Sequence, residues 1–166
     1  MRAGIALGSN VGDPLANLKT ARAQIERVAG VTAPLLASRI YETEPVDCEA
    51  GAAKFLNAVI EIGYDADAAK LHASLREIER QLGRPSVHPR NVSRTIDLDL
   101  LYCGNFQINS LQLQLPHPRL HERAFVLRPL ADIRPELVLA NQRLPIAELL
   151  EKLGDTSHLV RVGGEW

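Results

Sequence analysis

Aromatic side chains make up only 4% of the 166 residues, cysteines number two, and neither sign of charge dominates, with 19 Lys and Arg against 20 Asp and Glu for a net charge of −1. Each scarcity excludes something. Without an overall basic face, bulk attraction to nucleic acid or to an anionic membrane has no source, so any anion site must be local. Cys48 and Cys103 stand far apart and show no CxxC or Cys/His ligand spacing, which fits a reducing compartment and no zinc. No stretch approaches the ~18 apolar residues of a membrane span, and the opening run Met1 to Gly8 is too short for a signal peptide, so a cytoplasmic location is expected. The length and a hydrophobic fraction of 46% point to one domain over residues 1–166 with one sizeable core.

The short apolar run Ile5 to Leu7 ends in Gly8-Ser9-Asn10, and Asp13-Pro14 then supplies a helix cap and a proline at the first helical position. Leu15, Leu18, Ala21, Ile25 and Val28 recur at helical spacing until Gly30. Leu35 to Tyr41 reads as a strand. Phe55 to Ile62 alternates, with Leu56, Ala58, Ile60 and Ile62 on one face and Phe55, Asn57, Val59 and Glu61 on the other. Ala68, Leu71, Leu75, Ile78 and Leu82 form a second amphipathic stripe closed by Gly83. Residues 84–93 read as a loop, Thr95 to Cys103 as a strand, and Gly104-Asn105 as a hairpin-like turn into Phe106-Gln107-Ile108. A short helix from His121 to Leu127 is expected to stop at Pro129, with a last helix at 145–153 and a last strand at 159–162. The order β-α-β-β-α-β predicts an α+β, ferredoxin-like sandwich: an antiparallel sheet with two helices on one face, the other face free, plus a C-terminal helical extension.

Asp97 and Asp99 lie two apart on a strand, so both carboxylates leave the same face, opposite Ile96, Leu98 and Leu100. Hard oxygen donors side by side suit Mg²⁺, which keeps several waters and takes one or two protein carboxylates plus substrate phosphates. Two solvated acids on an exposed strand would show the same spacing. Upstream, Arg84, Arg90 and Arg94 with His88 fall in a stretch from 84 to 96 that contains no acid, so cations gather beside the carboxylates. Guanidiniums can reach polyphosphate oxygens, or simply pair with Asp97, Asp99 or Glu79. His117 and His121 lack a third ligand, and Pro116 and Pro118 break the helix a metal pair would need; a phosphate or ribose contact is the alternative to turn packing. Phe55 and Asn57 share a strand face and can meet a planar heterocycle with a ring and an amide, with Phe125 either a second ring or core.

Taken in order, these segments resemble the 6-hydroxymethyl-7,8-dihydropterin pyrophosphokinase family. The resemblance rests on Leu7-Gly8-Ser9-Asn10, Tyr41-Glu42-Thr43-Glu44-Pro45, Phe55-Leu56-Asn57-Ala58, Glu79 with Gly83-Arg84, Arg94-Thr95-Ile96-Asp97-Leu98-Asp99, and Pro116-His117-Pro118-Arg119 through Glu122-Arg123-Ala124-Phe125-Val126-Leu127. It implies transfer of pyrophosphate from ATP to the hydroxymethyl dihydropterin in folate biosynthesis, by a monomer that binds small molecules rather than nucleic acid or membrane. It further implies two Mg²⁺ ions on Asp97 and Asp99, polyphosphate contacts from Arg84, Arg94 and His117, and Glu79 and Arg123 on the nucleotide side. The pterin would stack between Phe55 and Phe125, with Asn57 and the backbone near Thr43 and Val46 reading its polar edge. One departure stands out: many members carry Arg-Trp-Gly-Pro-Arg where this chain has Arg90 followed by Asn91-Val92-Ser93, and Ser86 replaces a frequent further arginine. An inactive pterin- or nucleotide-binding relative, and an RNA-binding module on the same scaffold, are the competing readings.

Overall fold

In the computed structural model, which describes residues 1–45, 51–83, 93–154, 156, 158–163 and 166, the chain opens with strand β1 (Arg2–Ser9). Ala3, Ile5 and Leu7 enter the main core, and Gly4, Ala6 and Gly8 alternate onto the opposite face. Helix α1 (Pro14–Ile25) begins where the Asp13 carboxylate accepts the Ala16 N–H at 3.0 Å, with proline at a position that needs no donor. Strands β2 (Val31–Ala37), β3 (Ile40–Thr43) and β4 (Phe55–Tyr64) follow, then helix α2 (Ala68–Gln81), capped by Asp67 and ended at Gly83, whose φ of +93° suits glycine. Strand β5 (Asp97–Cys103) completes the βαββαβ core.

The sheet order is β5-β1-β4-β3-β8, all antiparallel, with β2 also paired to β4 and β8 (Val160–Val162) added outside β3. Leu18, Ala21 and Ile25 of α1 and Leu71, Leu75 and Ile78 of α2 pack on Ile5, Leu7, Ile60, Ile62 and Leu98. Two helices on one face of an antiparallel sheet is the predicted ferredoxin-like arrangement. None of the described helices is long and apolar enough to cross a membrane.

Four expectations are corrected. The strand expected over Leu35–Tyr41 is two strands, broken at Ser38: its N–H donates to the Val59 carbonyl, and its hydroxyl, in place of a backbone carbonyl, accepts the Val59 N–H, both at 2.9 Å. The Gly104-Asn105 turn does not send a hairpin back along β5. The Phe106 N–H closes it on the Cys103 carbonyl, and β6 (Ile108–Asn109) pairs instead with β7 (Gln114–Leu115) in a separate ribbon. Pro129 does not stop the helix after His121; a single 3₁₀ turn at Leu120–Glu122 leads into α3 (Ala124–Ile133), which runs through the proline. An interior proline costs about 3 kcal/mol. Burial of Val126, Leu127 and Leu130, at about 1.5–3 kcal/mol each, exceeds that cost.

The fourth correction bears on the site, because the second sheet face is not wholly free. Helices α3 and α4 (Ile146–Lys152) cover half of it, placing Val126, Leu127, Leu130, Ile146, Leu149 and Leu150 on Val59, Leu101 and Tyr102. Beneath them lies a buried carboxylate, Glu61, which is 1% exposed. It accepts hydrogen bonds from Arg2 Nε, Arg134 Nη2 and the Tyr102 hydroxyl, each at 2.6 Å. Tyr102 reaches Glu61 by crossing β1 at Gly4, where a Cβ would stand 2.2 Å from its ring.

Burial alone would raise the Glu61 pKa, but the donors from Arg134, Tyr102 and Arg2 outweigh it and hold it below the usual carboxylate range. A folded-state pKa below the unfolded one stabilises the fold at neutral pH, and that contribution is lost as pH falls through the folded value. Glu61→Gln is expected to destabilise by about 2–4 kcal/mol at pH 7. In urea titrations the gap from the parent protein should narrow below about pH 4.3; a gap independent of pH would show that the carboxylate charge contributes nothing.

Candidate active site

The half of the sheet face that α3 and α4 leave uncovered carries four of the residues singled out from the sequence, Phe55 and Asn57 of β4 and Asp97 and Asp99 of β5. Registration builds the arrangement: on β1, Gly8 stands opposite Asn57 of β4 on one side and Asp97 of β5 on the other, and Ala6 stands between Val59 and Asp99. A Cβ at Gly8 would meet Asn57 Oδ1 at 3.0 Å and approach Asp97 Cβ and Phe55 Cδ1 at 4.0 Å. The absence of that carbon makes a shallow floor between the aromatic–amide side and the carboxylate side. Asn57, 7% exposed, donates from Nδ2 to Thr43 Oγ1 at 2.8 Å, so the amide has a fixed orientation.

The two carboxylates are each braced by an arginine that also lies over an aromatic ring. Arg94 Nη1 donates to Asp97 Oδ2 at 2.8 Å, and its guanidinium carbon stands 5.9 Å from the Phe55 ring centre. Arg123 Nη1 reaches Asp99 Oδ2 at 3.4 Å, and its guanidinium carbon stands 5.6 Å from the Phe125 ring centre. The structure thus brings together Phe55, Asn57, Thr43, Arg94, Asp97, Asp99, Arg123 and Phe125. Val46 and Arg84 lie outside the described residues. The carboxylates are about a quarter exposed, at 25% and 23% of their side-chain surfaces, so both stay hydrated and reachable.

A bulge in β5 brings in His117. Leu100 pairs with Ile5 and Tyr102 with Gly4, which leaves Leu101 as an extra residue. Its carbonyl accepts the His117 N–H at 2.7 Å. His117 Nδ1 accepts the Arg119 N–H at 3.2 Å, which puts the neutral ring's proton on Nε2 as a donor. Burial is the main cause that lowers the His117 pKa, aided by Arg123 and Arg119 and opposed by Asp99 and Asp97, so the imidazole is neutral at pH 7.

Beside Asp99 and His117 opens a cavity of about 600 Å³, lined also by His72 and Arg76 of α2 and by Gln112 and Gln114 of the β6–β7 ribbon. These four were not singled out in the sequence. His72, Arg76 and Glu79 do fall at i, i+4 and i+7, so a polar stripe beside the apolar one was available as a signal. Glu79, 2% exposed, accepts the Leu98 N–H at 2.8 Å with one oxygen and Arg76 Nη1 at 2.7 Å with the other. It therefore fixes the backbone between Asp97 and Asp99.

Asn10 was given no role of its own in the sequence, although Leu7-Gly8-Ser9-Asn10 is among the segments that carry the resemblance. Its side chain is 5% exposed and ties three connections together: Nδ2 donates to Ala53 O and Ser93 Oγ, each at 3.1 Å, and Oδ1 accepts the Arg94 N–H at 2.7 Å. Among the described residues no group of three or more His, Cys, Asp or Glu could hold a metal ion. A two-carboxylate set beside a polar cavity fits a hard cation that arrives with phosphate oxygens.

Residues 4–135 match the family described as 7,8-dihydro-6-hydroxymethylpterin-pyrophosphokinase. A Bacillus subtilis (strain 168) relative named 2-amino-4-hydroxy-6-hydroxymethyldihydropteridine pyrophosphokinase is 44% identical over 129 residues, covering 78% of this chain and 75% of the relative. A Haemophilus influenzae relative of the same name is 35% identical over 151 residues, covering 91% and 92%. The chain also superposes on a crystal structure of an HPPK-DHPS in complex with substrates, with a TM-score of 0.72 at 15% identity, a likeness of fold. That match covers 91% of this chain and 42% of the longer one.

Glu79→Ala should leave the Leu98 N–H and the Arg76 guanidinium without their shared acceptor, at a cost of about 1–3 kcal/mol. Amide exchange at Leu98 should accelerate in step with that loss. Exchange as slow as in the parent protein would mean that Glu79 does not hold this strand edge.

Proposed function

The chain belongs to the 7,8-dihydro-6-hydroxymethylpterin-pyrophosphokinase family, and from that membership we propose which of its residues carry out the family's reaction. The reaction transfers the pyrophosphoryl group of ATP to 6-hydroxymethyl-7,8-dihydropterin, giving AMP and the pterin pyrophosphate, in folate biosynthesis. The observation that carries the assignment is the pair of Asp–Arg–aromatic units, Asp97–Arg94–Phe55 and Asp99–Arg123–Phe125, built on carboxylates two residues apart on one face of β5. In this reading the pterin ring stacks between Phe55 and Phe125, with Asn57 and Thr43 at its polar edge. The nucleotide occupies the cavity beside Asp99 and His117.

Asp97 and Asp99 would hold Mg²⁺, two ions in this proposal, whose chemistry is to neutralise polyphosphate charge and acidify the attacking hydroxyl. The arginines then exchange partners. Arg94 and Arg123, each about a fifth exposed, give up the carboxylates for charge-assisted hydrogen bonds to phosphate oxygens. Leaving the carboxylates also frees the ring faces they cover. His117, neutral with its proton on Nε2, donates to a phosphate oxygen without adding charge. Asn57 and the two rings orient the pterin hydroxymethyl group toward the β-phosphorus. Catalysis is positioning and charge stabilisation, with no covalent enzyme intermediate.

We read residues 1–166 as a single pyrophosphokinase domain that acts as a cytoplasmic monomer on these small molecules. Arg84 belongs to the same proposal as a polyphosphate contact.

Incubating the purified protein with ATP, Mg²⁺ and the hydroxymethyl dihydropterin should release AMP and the pterin pyrophosphate in equal amounts. Asp97→Ala and Asp99→Ala should each stay folded and lower turnover by at least ~10²-fold; near-normal turnover in either would sink the metal assignment. Phe55→Ala should weaken pterin binding by roughly 1–3 kcal/mol and leave ATP affinity nearly unchanged. The reverse pattern, read by calorimetry, would mean that the two substrates sit on opposite sides from those proposed.

A further inference from the structure

Three side chains on the α3 side of the sheet take no part in the reading above, yet they adjoin the pterin face. Tyr41, 4% exposed, lies in β3 opposite Asn57, so it shares the face that carries Asn57 and Phe55. Its hydroxyl donates to Asp132, with oxygens at 2.9 and 3.0 Å, and accepts from Arg128 Nε at 3.2 Å. Arg128 Nη2 in turn donates to Asp132 Oδ1 at 3.1 Å, and its guanidinium carbon stands 5.9 Å from the Tyr41 ring centre. Asp132 also accepts the Arg39 N–H at 3.3 Å. The three side chains form a closed triangle between β3 and α3.

Phe125 begins the same helix face. Phe125, Arg128 and Asp132 are spaced i, i+3 and i+7, so one side of α3 carries all three. The turn that bears Phe125 is weakly held by its own backbone: Pro129 has no N–H to give the Phe125 carbonyl, and the cap residue Arg123 makes no side-chain bond to the first turn. Burial of Val126, Leu127 and Leu130 presses α3 to the sheet, but that force is non-directional and does not choose a register. Directional bonds to Tyr41 do.

We infer that Tyr41, Arg128 and Asp132 are positioning residues that set the place of Phe125, and with it the width of the gap facing Phe55; the inference rests on the pterin reading of that face. Stacking is sensitive to this width, because a separation increased by 0.5–1 Å already forfeits roughly a quarter to a half of the dispersion attraction. The nucleotide cavity beside Asp99 is lined by α2, the β6–β7 ribbon and His117 and by no residue of α3, so the α3 register reaches the nucleotide only through Arg123 at the helix start.

Tyr41→Phe keeps the ring and removes only the hydroxyl. It should raise the Kd for the dihydropterin about 5- to 10-fold while changing that for a non-hydrolysable ATP analogue by less than about 2-fold. In a Phe125→Ala background the same substitution should change pterin affinity by less than about 2-fold, since a residue that acts through Phe125 has nothing left to act on. Arg128→Gln should behave in the same way. Tyr102→Phe is the control: it removes another buried hydroxyl on this sheet face, bonded to Glu61, and should lower the Tm without moving pterin affinity. Equal losses for Tyr41→Phe with and without Phe125, or equal losses for both ligands, would overturn the positioning role. Unchanged pterin affinity in Phe125→Ala alone would instead overturn the stacking reading, and this inference with it.

Discussion

Two carboxylates placed two residues apart on one face of an extended strand stand about 7 Å from each other. At an effective dielectric near 20, their repulsion is roughly 2 kcal/mol, a large fraction of the margin that keeps a small domain folded. Asp97 and Asp99 are in this position, and the surroundings are arranged around it. Arg94 approaches Asp97 from the lead-in to β5, and Arg123 approaches Asp99 from the start of α3. Each guanidinium also covers an aromatic ring, so the charges that offset the repulsion tie Phe55 and Phe125 to the two carboxylates. Arg94 is itself held by Asn10, whose backbone and side chain bond to it across the end of β1. A site organised in this way keeps its charges close to balance before any ligand arrives.

The division of the sheet face follows from small residues on β1. Gly4 lets the Tyr102 ring cross to Glu61, and that half of the face closes under α3 and α4 around a satisfied buried carboxylate. Gly8 leaves the other half open between Asn57 and Asp97. The bulge at Leu101 falls between the two halves. It turns both Leu101 and Tyr102 into the α3–α4 cluster and presents the Leu101 carbonyl to His117, which stands beside Asp99 as a result. The same irregularity ends the open region and furnishes one wall of the cavity.

Much of this was legible in the sequence, and the reason is periodicity. Alternation along β4 and β5 alone assigned Phe55 and Asn57 to one face and both carboxylates to another side-chain row, because a strand's side chains alternate whatever their partners are. The cap at Asp13 and the stop at Gly83 are equally local, and together these signals determined the βαββαβ core. The matching segments, in order, determined the family. What the sequence left open were the choices that depend on register and packing between distant residues: which arginine pairs with which aspartate, that Asn10 would join Ala53 and Ser93, and that His72 and Arg76 would face the cavity. Pro129 shows the limit most plainly. A local rule ends the helix there, but burial of its neighbours against β4 outweighs that rule, and burial exists only once the sheet has formed. The half-covered face was decided in the same way, since α3 and α4 find their surface only after residues from β1, β4 and β5 have been brought side by side.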